Sequence, residues 1–196
     1  MKKGCLVGGV LLAIVAIAAF WIFGIYNGIM PKDNAVKKQW GDVESVYQKR
    51  SDLVPNLVST VKGAANFEQE TLTQVIEARA KATSTTIDPT NLTPENIAQF
   101  QQAQDGLSSA LSKLMVVVEK YPELKANQNF LNLQAELSSI ESEVLFERKK
   151  FNTAVEDYNN YVRVAPNNII ANMFGYTEKG YFKASPGSEN APSVSF

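Results

Sequence analysis

Phe130, Leu133, Leu137, Ile140, Val144, Glu147, Phe151, Ala154, Tyr158 and Tyr161 follow one another at steps of three and four residues without a slip. That spacing is one face of an α-helix packed lengthwise against neighbours. Only Glu147 is neither apolar nor aromatic, and no Pro or Gly interrupts the stretch. It predicts a single helix of about 48 Å at 1.5 Å per residue. A stripe of that length cannot stay in water, so the rest of the chain must supply helices to cover it.

It does. Val36, Trp40, Val43, Tyr47, Arg50, Val54, Leu57, Val61 and Ala64 form a second seam of the same spacing, with Arg50 its one charged position. Pro31 and Lys32 precede it, and Asp33 or Asn34 is placed to cap its start. Pro55 lies off the seam and predicts a kink or local opening, since it removes a backbone donor. Gly63 and residues 64–66 suit a turn. A third helix is expected over 67–83, with Glu68, Leu72, Val75, Arg79 and Ala82 in line. Residues 83–93 read as a loop. Thr93 as cap with Pro94 at the first helical position starts a fourth helix, carrying Ile97, Phe100, Gln104, Leu107, Leu111, Leu114, Val118 and Tyr121 until Pro122 ends it. Asn127 can cap the last long helix. Beyond Tyr161 the chain bends at Pro166, a short helix fits 168–173 with Gly175 as its stop, and Tyr176, Tyr181 and Phe182 are expected to cover one end. Short connections make neighbours antiparallel. The expected fold is all-α, a transmembrane helix followed by an up-down four-helix bundle. The divisions are 1–31 for the anchor, 32–183 for the bundle, and 184–196, rich in Ser, Pro, Gly and Asn, for a disordered tail.

Gly4 to Pro31 carries no charged side chain, and about 20 apolar residues suffice to span a bilayer. Trp21 and Tyr26 fall toward the end of this stretch, where aromatic rings favour the membrane interface. A cleaved signal peptide is the alternative: Lys2 and Lys3 are basic, and Ala16-Ile17-Ala18 is a small-residue site. Phe20-Trp21-Ile22-Phe23 directly after it argues for an uncleaved anchor. Cys5 precedes the apolar run, the wrong order for a lipoprotein. It is read as a small buried residue, with palmitoylation the alternative. Gly4/Gly8 and Gly24/Gly28 are Gly-x-x-x-Gly pairs that let membrane helices approach, although glycine is common in such helices by chance. Lys2 and Lys3 before the span nearly balance Lys32, Lys37 and Lys38 after it, so the positive-inside rule barely orients the chain. The reading is a single-pass membrane protein, with its bundle leaning to the non-cytoplasmic side.

The chain has no histidine and one cysteine, which removes Ser-His-Asp triads, Cys-His pairs, intrachain disulfides and the Glu-x-x-His di-metal site of helical bundles. With Lys2 and Lys3 set aside, 17 basic residues face all 20 acidic ones, a net charge of −3 beyond the anchor. No basic run is dense enough for nucleic acid. No cofactor is expected. Each seam carries one polar break: Arg50, Arg79, Gln104 and Glu147. Arg50 and Glu147 lie near the middles of the first and last bundle helices, which predicts a buried Arg50–Glu147 pair joined by Arg79 or Gln104, since a buried charge demands a partner. Such a cluster is either a site lined by carboxylate and guanidinium groups or a device that fixes helix register, and register is the preferred reading. Asn152, Tyr158, Asn159 and Tyr161 are either a recognition surface or hydrogen-bonding residues within the bundle.

Gln39-Trp40, the run Tyr47-Gln48-Lys49-Arg50-Ser51-Asp52-Leu53-Val54-Pro55-Asn56-Leu57-Val58, and Glu77-Ala78-Arg79-Ala80 resemble the LemA family. So do Tyr121 to Ala126 with Asn129-Phe130, and Glu147-Arg148 through Phe151-Asn152, Val155 and Tyr158-Asn159. The likeness runs from the anchor to about Phe182. Phe151 stands where the family often has tyrosine, and Val164-Ala165-Pro166 where Phe-Pro is usual. The resemblance implies a single-pass bacterial membrane protein with an antiparallel helical bundle and no established reaction. The expected function is a non-enzymatic membrane-anchored scaffold that binds other envelope proteins or copies of itself. A sensory, signal-coupling module is the alternative, and a carboxylate-based hydrolase ranks below both.

Overall fold

The structure, a computed structural model, describes residues 2–63 and 68–184, and the side chains from residue 7 onward. The turn at 64–66, the helix start at Phe67, the tail beyond Ala184 and the surroundings of Cys5 therefore lie outside it. The described chain is all-α: α1 spans Lys2–Lys62, α2 Gln69–Ser84, α3 Pro94–Val118, α4 Pro122–Lys125, α5 Gln128–Arg163 and α6 Asn167–Met173.

The seams turn inward as their periodicity requires. Val36, Trp40, Val43, Tyr47, Arg50, Val54, Leu57 and Val61 are all buried on α1, and Phe130, Leu137, Ile140, Val144, Phe151 and Tyr158 on α5. Thr93 accepts a hydrogen bond from the Asn96 N–H at 3.2 Å, and Asn127 from the N–H groups of Asn129 and Phe130 at 2.9 and 3.2 Å. These caps satisfy donors that a helix start otherwise leaves open. Glu68 departs from expectation: it stands exposed at the entry to α2 rather than on its inner face.

The helix start expected just after Pro31 is corrected. No helix begins at Asp33 or Asn34, because α1 passes through Pro31 and Pro55 without a break. Proline removes one intrahelical bond, but Ile25, Ile29 and Val36 are buried on either side of Pro31, and their packing holds the helix across it. Asp33 is not a cap at all; it lies buried inside the helix run.

Residue pairs show how the helices run. Tyr161 meets α1 at Ile25, Glu147 at Gln39 and Glu143 at Lys49, so α1 and α5 are antiparallel. Lys120 reaches Glu68, Lys113 reaches Gln74 and Gln104 reaches Ala82, so α2 and α3 are antiparallel too. Trp40 lies at the centre, with the rings of Phe100 on α3, Phe151 on α5 and Phe182 beyond α6 at 5.0, 5.5 and 6.2 Å.

α1 is the one helix long and apolar enough to cross a membrane among the described residues. Its large side chains from Val7 to Phe23 stand mostly exposed, with Leu12 at 72% and Phe20 at 84%. Burial begins abruptly at Ile25. A Cβ on Gly28 would collide with the Tyr161 hydroxyl, so the second glycine of the Gly24/Gly28 pair serves packing within the chain rather than approach of another membrane helix.

Candidate functional site

Arg50 is 1% exposed and is the largest buried charge on α1. Its Nη1 donates to Ser108 Oγ at 2.7 Å and to Glu141 Oε1 at 3.2 Å. Its Nη2 donates to Gln104 Oε1 at 2.6 Å and to the Gln104 carbonyl at 3.2 Å. The guanidinium also lies 4.8 Å from the centre of the Tyr47 ring. Gln104 in turn donates through Nε2 to the Ala82 carbonyl at 3.2 Å, in the last turn of α2. One cluster thus ties α1, α2, α3 and α5 at one level.

The expected Arg50–Glu147 pair is corrected. Glu147 accepts from Gln39 at 2.5 Å and pairs with Lys150 at 2.9 Å, and the carboxylate on Arg50 is Glu141. Matching helix midpoints assumed that α1 begins near Asp33. Because α1 continues toward the amino terminus and the end of α5 packs down to Ile25, the register shifts by nearly two turns.

Arg79 bonds to α1 at a different point. Its Nε donates to the Ser51 carbonyl at 2.7 Å. Ser51 is four residues before Pro55, so this carbonyl is the one that Pro55 deprives of its helical donor. The arginine replaces the missing bond. Arg79→Met is expected to cost about 1–3 kcal/mol in urea unfolding, as a buried acceptor left open does. In a Pro55→Ala background the regained N–H serves Ser51, so the same substitution should cost about 1 kcal/mol less. Equal costs in both backgrounds would show that Arg79 does not stand in for the proline's donor.

A second polar cluster lies nearer the apolar stretch of α1. After α6, Gly175 takes a φ of +78°, which glycine adopts freely, and residues 176–183 return along α5 as an extended strap. Three side-chain amides each grip one strap residue at both its N–H and its C=O. Asn159 holds Lys179 at 2.9 and 2.9 Å, Asn152 holds Phe182 at 2.9 and 2.9 Å, and Gln101 of α3 holds Lys183 at 3.0 and 2.9 Å. A primary amide offers both a donor and an acceptor, so it satisfies an extended backbone much as a neighbouring strand would. Tyr158 donates to the Thr177 carbonyl at 3.0 Å, and Gly180 N–H donates to the Leu92 carbonyl at 2.9 Å. Burial raises the Tyr158 phenol, with the Asp33 charge adding to it, so it stays a neutral donor.

The strap also carries a buried charge. Lys179 Nζ lies 2.7 Å from Asp33 Oδ1, with the side chains 8% and 6% exposed, and Lys37 holds the other oxygen at 2.6 Å. Burial alone would raise the Asp33 carboxyl, but hydrogen bonds and positive charge from Lys179 and Lys37 outweigh it and keep its pKa below 3.8. Gly180 is needed for a different reason: a Cβ there would lie 2.6 Å from Pro94 Cα and 2.9 Å from the Thr93 carbonyl. Gly180→Ala is expected to cost about 1–3 kcal/mol through overpacking and to speed amide exchange at Phe182 and Lys183. Unchanged exchange there would mean that the strap has slack.

Asn152, Tyr158 and Asn159, read from sequence as recognition or packing residues, thus grip the chain's own strap, while Tyr161 donates to the Ile25 carbonyl at 3.4 Å. No sequence pattern marks Gln101, Lys179 or Gly180, and Asp33 reads from sequence as a helix cap. The seven-residue spacing of Asn152 and Asn159, two turns on one helix face, was the available signal. Trp21 is 52% exposed within the apolar run. Tyr26 is half-buried, with its ring 5.0 Å from Phe174 and 6.2 Å from Tyr176. Among the described residues no group of three acidic or cysteine side chains is placed to hold a metal ion. The strongly polar clusters are occupied by one another, which suits holding elements in place more than turning over a substrate.

Two relatives match most of the chain at low identity. A protein LemA of Metamycoplasma hominis is 23% identical over 178 residues, covering 90% of this chain and 78% of the relative. Magnetosome protein MamQ 2 of Paramagnetospirillum magneticum is 22% identical over 195 residues, covering 91% and 71%. These names are not those of enzymes. The LemA family profile matches residues 39–196, which include the Arg50 cluster, its proline-compensating arginine and the strap with its amide grips, and the chain belongs to the LemA family.

Proposed function

We infer that the chain is a non-enzymatic, single-pass protein of a bacterial inner membrane. In this reading α1, α2, α3 and α5 form an antiparallel up-down four-helix bundle that acts as a scaffold for other envelope proteins or for copies of itself. The carrying observation is α1. One helix of 61 residues is both the apolar segment and the central bundle helix, about 90 Å long at 1.5 Å per residue. Its passage from exposed to buried is fixed by Ile25 and Ile29. Partners gathered by the bundle would be held at a set height and orientation above the bilayer. The similarity to a protein named for the magnetosome supports a role on a membrane surface.

The continuity of α1 also favours the signal-coupling alternative, because an unbroken helix carries a rotation or shift from membrane to bundle. The experiment is the mass in mild detergent, by light scattering, of the full chain and of a chain starting at Phe23, which retains the buried Ile25 and Ile29. A defined multimer from the full chain and a monomer from the shortened one are expected of a self-assembling scaffold. Monomers from both would end the self-assembly reading, and cross-linking in cells would then look for a different protein on the bundle.

A further inference from the structure

Charged side chains are missing from the turn that closes the end of the molecule nearest the apolar segment. Residues 164–174, which turn the chain from α5 through α6, contain no charged side chain. Ile170 and Ala171 of α6 are buried against α1 and α5. The outer side carries Val164 at 59% exposure, Ile169 at 65%, Met173 at 62% and Phe174 at 49%. Ile169 and Met173 are four residues apart and share one helix face. Such a cluster of large apolar side chains on one surface calls for a covering.

Its position says what covers it. The Phe174 ring lies 5.0 Å from Tyr26, and Tyr176 donates to the Met30 sulfur at 2.9 Å, so α6 is fixed beside the turn of α1 that follows the exposed apolar run. Tyr26 stands about 4.5 Å along the helix from Phe23, the last large side chain of that run to stand exposed. The apolar face of α6 is therefore continuous with the apolar surface of α1 and lies at its upper edge. Slightly farther along, Lys32 sits 5.5 Å from the centre of the Tyr161 ring.

We propose that α6 and the preceding turn are a second membrane contact, with Val164, Ile169, Met173 and Phe174 seated in the interfacial layer of the bilayer beside the transmembrane part of α1. The protein then rests on the lipid as well as being anchored in it. An uncharged amphipathic turn buries its apolar face about 5–10 Å into the headgroup boundary. Seating α6 there fixes the tilt of the bundle, which a single helix passing through lipid leaves free.

The inference rests on the anchor reading, and the test separates the two. The full chain, with Cys5→Ser, receives a single environment-sensitive nitrobenzoxadiazole label at Ile14→Cys, Ile169→Cys, Met173→Cys or Ser138→Cys. It is reconstituted in phosphatidylcholine–phosphatidylglycerol vesicles. Lipids with a nitroxide near the top of the acyl chain are expected to lower emission at positions 169 and 173 by about twofold, as at 14, and to leave the distant exposed position 138 unchanged. Quenching at 14 alone, with 169 and 173 reached by aqueous iodide, overturns the second contact and leaves the anchor standing. Protection of 169 and 173 from both quenchers also overturns it and assigns the face to a protein, a second copy included. No lipid quenching at 14 overturns the anchor reading itself.

Discussion

Arg50→Met is expected to lower unfolding free energy by about 2–4 kcal/mol, read by urea unfolding of the full chain in mild detergent. The loss does not come from a broken ion pair in the ordinary sense. Glu141 keeps 38% of its side chain exposed, so water can solvate it once the arginine is gone. The larger cost falls on Gln104 Oε1, which receives the 2.6 Å bond, because a buried acceptor without a donor keeps its full desolvation penalty; half-buried Ser108 Oγ, at 2.7 Å, adds less. Substituting both sides of the cluster should therefore be milder than adding the single effects. Arg50→Met with Gln104→Leu is expected to recover about 1–2 kcal/mol relative to additivity. Recovery stays incomplete because Gln104 also serves the Ala82 carbonyl at the end of α2. Glu147→Gln, by contrast, should leave Arg50 undisturbed. A stability unchanged by Arg50→Met would show that the cluster contributes nothing to holding the helices in register.

The helices were legible because three-four spacing has only one structural solution, and the inward seams of α1, α3 and α5 follow from it. What escaped reading were contacts that no periodicity encodes. The strap is extended and has no repeat, so Asn152, Asn159 and Gln101 reveal themselves as grips only when the chain folds back upon them. The partner of Arg50 does not follow from matching helix midpoints, because helix register depends on where α1 begins, and proline at position 31 signals an end that packing on both sides overrides. Arg79 could have been connected with Pro55 only through the carbonyl of Ser51, a backbone atom that side-chain patterns do not report. Asp33 illustrates the same ambiguity: an acidic residue after a proline is an apt helix cap, and also a suitable acceptor for a lysine brought back from a distant strap.

Asp33→Asn is expected to cost about 3 kcal/mol near neutral pH and to free the strap, because it leaves the Lys179 ammonium buried without its carboxylate. Lys179→Met should cost less, since Asp33 keeps Lys37 at 2.6 Å. That asymmetry distinguishes a charge-paired clasp from simple packing, which predicts that the longer side chain matters more. Acid supplies the second half of the argument. The folded-state pKa of Asp33 lies below its ordinary 3.8, so folding favours the ionised form. Its contribution is complete above that ordinary value and is lost as pH falls through the lower, folded value. The stability advantage of the natural chain over Asp33→Asn should accordingly hold constant from neutral pH down to about pH 5 and shrink below about pH 4. Amide exchange at Lys179 and Phe182, whose N–H groups are held by Asn159 and Asn152, reports the same event locally. Relative to the intrinsic rate at each pH, exchange there should quicken in the variant at neutral pH, and in the natural chain only in acid. If the variant loses stability equally at every pH, the Asp33 carboxylate contributes through shape and not charge, and the strap is held by its amide grips alone.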